Sequence, residues 1–103
     1  MKLDIGGWRT VQDPNEAQIR EAIRELDDFE GFLVLSATDL TYIQSSGDSR
    51  VGFDLEYQEG SLDHHYRARK YDFEAETIVA KFSAYAAGDN GWRDGIDWEM
   101  ITL

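Results

Sequence analysis

The chain contains two histidines, and both belong to the run Asp63-His64-His65, where imidazole and carboxylate groups could act as metal ligands. Neighbouring residues of a strand point to opposite faces, so His64 and His65 cannot both bind one ion unless the strand breaks between them. The chain has no third histidine and no cysteine to complete a site. We therefore predict no metal site, and we interpret His65 as a cross-strand neighbour of Glu56.

Two pairs of carboxylates, Asp54 with Glu56 and Asp97 with Glu99, have the spacing of groups that share one face of a strand, as acid and base catalysts of a glycosidase could. In a chain with 21 acidic residues, such pairs arise by chance. The sequence also lacks a cysteine nucleophile, a Gly-x-Ser-x-Gly turn and a phosphate-binding loop with its lysine. We therefore predict no catalytic residues and no cofactor, as in a protein that is not an enzyme.

The most informative local pattern is a hairpin in which residues 52–57 pair with residues 64–69 around a turn centred on Gly60-Ser61. In this register one face is apolar and the other face carries opposite charges. The predicted apolar pairs are Leu55 with Tyr66 and Phe53 with Ala68, and the predicted charged pairs are Glu56 with His65 and Asp54 with Arg67. The residues that most resemble catalytic groups would then neutralise one another.

Helical periodicity appears in two segments. Asp13 as N-cap, Pro14 at the first helical position and Glu16 as capping-box partner predict a helix that ends near residues 27–28. Asp72 as N-cap and Gly88 as C-terminal stop predict a second helix over residues 74–87.

Alternating apolar and polar residues predict strands at residues 8–11, 32–36, 41–45, 51–57 and 64–69, with a closing strand from about residue 96. Because the strands from residue 32 onward are joined by short turns, we expect antiparallel neighbours. The predicted fold class is α+β, with an antiparallel sheet of a four-strand meander plus a closing C-terminal strand, two amphipathic helices and the order β-α-β-β-β-β-α-β. A chain of 103 residues corresponds to a single domain, 1–103.

The two faces of this sheet should differ in character. We expect the helices to cover the face formed by Leu33, Leu35, Leu40, Tyr42, Val51, Phe53, Leu55 and Tyr66. The other face is expected to carry Phe32, Val34, Thr41, Ile43, Asp54, Glu56, His65 and Arg67. Because this second face combines an apolar corner with charges, either another part of the chain or a partner should shield it.

The formal net charge of -11 constrains the kind of partner. Such a charge repels nucleic acid and anionic membranes and attracts basic surfaces over long range, although acidity also serves solubility alone. The absence of cysteine is compatible with a reducing compartment, and the first residues show neither an export signal nor a membrane span. We therefore expect a cytoplasmic protein with a basic protein partner.

A set of short motifs spans the chain from Leu33 to Trp98. They are Thr41-Tyr42-Ile43-Gln44, Leu55-Glu56-Tyr57, His65-Tyr66-Arg67-Ala68, the residues from Phe82 through Tyr85 to Gly88-Asp89, Trp92, and Trp98-Glu99. Together they resemble the bacterial immunity proteins of polymorphic toxin systems, in particular the family called immunity protein one. The resemblance implies a compact, non-enzymatic cytoplasmic protein that binds a cognate toxin domain, often a basic nuclease, and occludes or distorts its active site.

The resulting hypothesis is a non-enzymatic binding protein that masks a basic toxin domain. The candidate contacts are Asp54, Glu56, Thr41 and Ile43 on the second face, with Asp89, Trp92 and Asp94 on the turn after the second helix. A first alternative is a homo-oligomeric structural or adaptor domain that buries Phe32, Val34 and Ile43 against a copy of itself. A second alternative is a small-molecule enzyme with a pocket near Trp92 and Trp98.

Overall fold

A computed structural model of the chain describes residues 1–28 and 31–102. Within them lie eight strands, β1 Lys2–Ile5, β2 Arg9–Gln12, β3 Phe32–Thr38, β4 Thr41–Asp48, β5 Gly52–Phe53, β6 Glu56–Gln58, β7 His65–Ala68 and β8 Trp98–Met100, and two α-helices, α1 Glu16–Asp28 and α2 Ala75–Ala86. The sheet has the order β2-β1-β3-β4-β6-β7-β8, every neighbour is antiparallel, and β5 pairs with β4. The predicted α+β class, with two helices and an antiparallel sheet, is confirmed.

One face of the sheet and both helices share a single apolar core. The helices contribute Ile19, Ala22, Ile23 and Leu26 from α1 and Ile78, Val79, Phe82 and Tyr85 from α2. The strands contribute alternate residues, among them Leu3, Ile5, Leu33, Leu35, Ile43 and Tyr57. Since a helix buries a stripe and a strand buries every second residue, these two periodicities place the core between the helices and one sheet face.

The N-terminal segment forms a hairpin, whereas the sequence predicted one strand at residues 8–11. Leu3 and Ile5 of β1 are fully buried, which makes β1 an inner strand between β2 and β3. Gly6 and Gly7 have φ angles of 64° and 85°, which suit a tight turn. The Trp8 ring lies 1.8 Å from the place where a Cβ of residue 6 would be, so only glycine fits there.

The first helix begins later than predicted. Asn15 and Gln18 form the capping box, because the Gln18 amide donates to Asn15 Oδ1 at 2.8 Å and the Asn15 amide donates to Gln18 Oε1 at 2.9 Å. Asp13 is not the cap: its carboxylate accepts a hydrogen bond from the N-terminal ammonium of Met1 at 2.7 Å. Asp13 and Asn15 are both residue types that commonly cap helices. Asn15 is used here because Gln18, at the third helical position, can bond back to its amide.

The predicted phase of β4 is wrong by one residue. Ile43 is fully buried opposite Leu35, whereas it was expected on the other face, and Tyr42 lies on the face where Ile43 was expected. The cause is a register shift between Ser36 and Thr38, which inserts an extra residue before the turn. The extra residue in β3 exchanges the faces to which the side chains of β4 point. Leu40, in the turn between the two strands, is 46% exposed.

The hairpin that follows keeps its predicted faces but changes its partners. The predicted strand 51–57 is split into β5 and β6, and β6 pairs with β7 two residues away from the predicted register, with Glu56 opposite Arg67, Tyr57 opposite Tyr66 and Gln58 opposite His65. The connection is longer than a tight turn, because residues 62–64 form a 3-10 helix. A shift by two residues leaves Leu55 and Phe53 in the core.

The second helix also starts later than predicted. Phe73 and Phe53 exchange two backbone hydrogen bonds of 2.9 Å, so the chain is still extended at residue 73. Glu74 occupies the N-cap position in place of Asp72. At the other end Gly88 has a φ angle of 75°, in agreement with its predicted role as the helix stop.

Ile43 in β4 and Leu40 in the preceding turn provide a test of this register. We expect Ile43→Ala to lower the free energy of unfolding by about 2–5 kcal/mol, because it opens a cavity in the core. Leu40→Ala should cost about 0.5 kcal/mol or less, because that side chain already meets water. Chemical denaturation of both variants measures the difference, and equal losses would contradict the bulged register.

Candidate protein-binding surface

The face of the sheet opposite the helices, which we call the open face, is mostly polar along its centre. Its central row runs across five strands through Val34, Gln44, Glu56, Arg67 and Glu99, each opposite the next. Acidic and basic residues alternate in the last three positions. Cross-strand neighbours of opposite charge stabilise a sheet modestly, so this row favours the observed strand order.

Glu56 is held within this row and has little contact with water. Its Oε2 accepts a hydrogen bond from Gln44 Nε2 at 2.9 Å and lies 3.8 Å from His65 Nε2, and its side chain is 17% exposed. Burial, and then the negative charge of Asp54, raise the pKa of Glu56 above its ordinary value. The predicted contact between Glu56 and His65 is present, as a diagonal rather than a directly opposite pair.

Asp54 has a different partner from the predicted one. Its two carboxylate oxygens accept hydrogen bonds from the backbone amide and the hydroxyl of Ser46, at 2.8 Å and 2.9 Å. Arg67, the predicted partner, instead donates to Glu99 at 2.9 Å. The hydrogen bond from Arg67 lowers the pKa of Glu99, and the charge of Arg69 lowers it further. Asp54 therefore ties β4 to the segment before β6.

A buried polar cluster lies beside Glu56, and the sequence patterns did not predict it. Gln58 accepts a hydrogen bond from the Tyr42 hydroxyl at 3.2 Å, donates one to the Leu40 carbonyl at 3.2 Å, and lies 3.1 Å from His65 Nδ1. Gln58 and His65 are both buried. Their juxtaposition follows from the register of β6 and β7, so a correct register would have revealed it.

Exposed apolar side chains are aligned at one end of the sheet. Leu62 is 59% exposed and Met100 is 63% exposed, and both line a shallow cavity of about 210 Å³ with Ile101. The turn that carries Leu40 adjoins this region, because the Gly60 amide donates to the Leu40 carbonyl at 3.0 Å. Leu62 and Met100 therefore form a small exposed apolar cluster around one cavity, with Leu40 in the adjacent turn, and such clusters are candidate interaction sites.

Carboxylates flank these apolar residues. Asp39 precedes Leu40 and Asp63 follows Leu62, both are exposed, and in the described part of the chain neither forms an ion pair. We call Asp39, Leu40, Leu62, Asp63 and Met100 the acidic edge. Its combination of apolar area and negative charge is complementary to a basic surface with an apolar centre.

The basic side chains leave this negative charge uncompensated. In the described part of the chain, eight of the ten lysines and arginines form ion pairs with carboxylates, and they are Arg9, Arg20, Arg24, Arg50, Arg67, Arg69, Lys70 and Arg93. Because these pairs use most of the cations, carboxylates such as Asp39 and Asp63 have no cationic partner among the described residues.

Two of the predicted contact residues are inside the protein. Ile43 is fully buried by the core, so it cannot reach a partner while the chain is folded. Trp92 is 4% exposed, with its ring packed edge-on against Tyr57 and Tyr85. The expectation that Trp92 is a contact residue on the surface is wrong, because the chain folds back after Gly88 and the Trp92 ring packs into the aromatic cluster.

The remaining predicted contacts lie near the surface, at separate places. The Thr41 hydroxyl accepts from the Gly60 amide at 3.1 Å, which joins the two turns beside the acidic edge. Asp89 is exposed, and its carboxylate accepts from the Gly91 amide at 2.8 Å. Asp94 is exposed further along the chain, where its carbonyl accepts from Lys81 at 3.2 Å. The structure therefore brings Thr41, but not Asp54 or Asp94, next to the acidic edge.

The described residues offer few features of a chemical site. Among them, no group of three or more histidine, cysteine, aspartate or glutamate side chains has the arrangement of a metal site. The Trp92 and Trp98 rings lie 6.2 Å apart, with Tyr57 in edge contact with both, so the space between them is filled. A cavity of about 200 Å³ lies beside this cluster instead, and Trp92 lines it together with Thr41, Glu59, Tyr85 and Arg93, whereas Trp98 does not.

Comparison of the chain with protein-family models, with curated proteins and with solved structures found no match. In the described part of the chain, neither helix has the length and apolar character needed to span a membrane.

The pairing of Arg67 with Glu99 leads to a prediction about pH. We expect Glu99 to titrate below its ordinary value of 4.5, and Arg67→Met to move the pKa of Glu99 upward because the carboxylate loses its main hydrogen bond. Because the folded pKa is the lower one, the pair stabilises the fold above the ordinary pKa and this contribution is lost as the pH falls through the folded pKa. Carboxyl-carbon NMR titration measures both values.

The matched control for this titration is Lys70→Met, which removes a cation that pairs with Asp72 at 3.9 Å rather than with Glu99. The pKa of Glu99 should stay where it is in that variant. An equal rise in both variants would mean that the general loss of positive charge, and not the Arg67 hydrogen bond, sets the value.

Proposed function

We propose that this chain is a non-enzymatic binding protein that masks a basic domain of another protein, and that the partner is a toxin domain met in the cytoplasm. The observation that carries the proposal is the acidic edge, where exposed Leu40, Leu62 and Met100 lie beside Asp39 and Asp63. The resemblance of the sequence motifs to bacterial immunity proteins supports the toxin as partner.

The charge distribution favours a basic partner over other classes. An excess of unpaired carboxylates steers a basic domain towards the protein and repels nucleic acid and anionic lipid. Within the interface, apolar side chains supply most of the affinity while charges set the association rate and the choice of partner. The acidic edge carries both kinds of group in one place.

The open-face carboxylates have a secondary role in this proposal. Asp54 and Glu56 already accept hydrogen bonds from Ser46 and Gln44, so binding through them exchanges existing bonds for new ones. They contribute to the negative field of the chain, whereas Asp39 and Asp63 can make direct contacts without giving up an internal ion pair. We therefore place the main contacts at the acidic edge.

Charge reversal tests this surface. The tagged chain is used to capture proteins from its native host at low salt, and the captured proteins are identified by mass spectrometry. We expect a protein with a basic domain, and we expect the double variant Asp39→Lys, Asp63→Lys to associate with that purified domain about tenfold more slowly at low salt. Biosensor kinetics across a salt series measure the rate.

The control is the double variant Glu21→Lys, Glu74→Lys, which changes the net charge equally at two exposed positions away from the acidic edge, one in α1 and one at the N-cap of α2. It should slow association much less. The proposal is contradicted by capture of no basic protein, and the placement of the contacts is contradicted by equal effects of the two double variants.

The apolar part of the surface should act on dissociation. We expect Leu62→Ser to raise the dissociation rate of the captured domain about tenfold with little change in association, because it removes buried apolar contact area. Val51→Ser, at an apolar side chain that is 70% exposed in a different turn, is the matched control and should have no effect. A similar loss in both variants would place the contact elsewhere.

A further inference from the structure

The last strand of the sheet, β8, has an edge without a neighbour in the part of the chain that the structure describes. Ile101 donates to the His65 carbonyl and Arg69 donates to the Asp97 carbonyl, both at 2.9 Å. In an antiparallel ladder, hydrogen-bonded pairs alternate with pairs that are not hydrogen-bonded. Residues 97, 99 and 101 therefore direct their backbone groups to β7, and Trp98 and Met100 direct theirs outward.

The open face ends at this edge with Glu99, whose carboxylate accepts hydrogen bonds from Arg67 at 2.9 Å and from Arg69 at 3.2 Å and is still 30% exposed. Across β6, β7 and β8 the central row reads Glu56, Arg67 and Glu99. The alternation continues if the next strand places a basic residue opposite Glu99. That position is a pair without hydrogen bonds, where facing side chains approach most closely.

The helix-side face ends at the same edge with an exposed apolar residue. Tyr57, Tyr66 and Met100 are successive cross-strand neighbours, and the Tyr57 and Tyr66 rings are stacked 4.9 Å apart. Met100 is exposed and has the cavity shared with Leu62 at its side. An apolar residue opposite Met100 would extend this row and fill that space.

The other edge of the sheet lacks these features. β2 places Thr10 opposite Asp4 and Gln12 opposite Lys2 on the open face, and on the helix side Arg9 forms an ion pair with Glu25 at 2.7 Å. At β2, the rows of cross-strand neighbours on the two faces end in neither an acidic residue nor an exposed apolar residue. The two edges therefore differ in what they could accept.

We infer that the β8 edge accepts an extended segment of the partner as an added antiparallel strand, with a basic residue opposite Glu99 and an apolar residue opposite Met100. This inference rests on the proposed function for the basic nature of the partner. Strand addition provides affinity through backbone hydrogen bonds and selectivity through alternate side chains. The added strand would also lie next to the acidic edge, because Met100 belongs to β8 and to the acidic edge. One partner segment can therefore contact both surfaces.

A second copy of the chain fits this edge poorly. If two copies paired antiparallel through their β8 edges, Trp98 of one copy would pair with Met100 of the other. Glu99 would then face Glu99 of the other copy. Like charges directly opposite each other destabilise a sheet, and each chain has a net charge of -11. The row therefore selects a basic segment over another copy.

The test uses a blocked peptide of alternating lysine and valine as the probe, added to the isotopically labelled full chain. We expect slower hydrogen exchange at the Trp98 and Met100 amides when the peptide is bound, and shift changes in NMR spectra centred on β8. A peptide of alternating glutamate and valine should bind about tenfold more weakly, because it places like charge opposite Glu99.

Two proline variants distinguish peptide binding at the β8 edge from binding at the β2 edge. Met100→Pro removes an outward N–H that β7 does not use, so we expect the fold to persist and peptide binding to fall about tenfold. Thr10→Pro removes the corresponding outward N–H of β2 and should bind normally. The exchange measurement on the unmodified chain decides the question if Met100→Pro fails to fold.

Each other outcome overturns the inference. Equal binding by the two proline variants, or protection at β2, would place the peptide elsewhere. Protection of Trp98 and Met100 without peptide, together with a dimer in sedimentation, would assign the edge to a second copy. Failure of the peptide to bind, with the captured basic domain still bound, would reject strand addition and leave the proposed function standing.

Discussion

The structure depends on burial of one face of the sheet beneath two helices. Leu35 and Ile43 from neighbouring strands, with Ile19 and Phe82 from the two helices, belong to the same core cluster. One-sided burial determines the phase of every strand, since a shift by one residue would place the apolar row in water. It also leaves the open face to satisfy its own polar groups, which explains why Gln58, His65 and Glu56 form hydrogen bonds and close contacts across that face.

This internal pairing determines what remains for a partner. Arginines of the open face are held by Glu99, Asp54 is held by Ser46, and Glu56 is held by Gln44. Groups paired within the face gain little from a new contact, because an old one must first be broken, whereas Glu99 at the edge keeps part of its carboxylate exposed. Within the described residues, the acidic groups without an ion pair include Asp39 and Asp63, which lie in turns beside exposed Leu40 and Leu62. The proposed binding role of the acidic edge rests on this difference between the face and the turns.

The fold class and the positions of most elements could be predicted, because apolar periodicity reports burial directly. Three details that affect the candidate site could not. The bulge at Ser36 and Thr38 has no signal of its own in the sequence, and it reversed the expected sides of Tyr42 and Ile43. The 3-10 helix at residues 62–64 moved the hairpin register by two, which separated Asp54 from Arg67 and made the contact between Glu56 and His65 a diagonal one. Burial of Trp92 depends on the path of the chain after α2, which local patterns do not determine.

The net charge and the exposed edges have to be considered together. An open strand edge and exposed side chains such as Leu62 and Met100 favour self-association, and proteins commonly oppose it with charge near the edge. Here the opposing charge has one sign, so it acts against copies of the same chain while it attracts a basic surface. In the proposed function, the same carboxylates oppose self-association and favour a basic partner. A surface that had only to stay soluble could achieve this with mixed charges and without apolar residues in neighbouring turns.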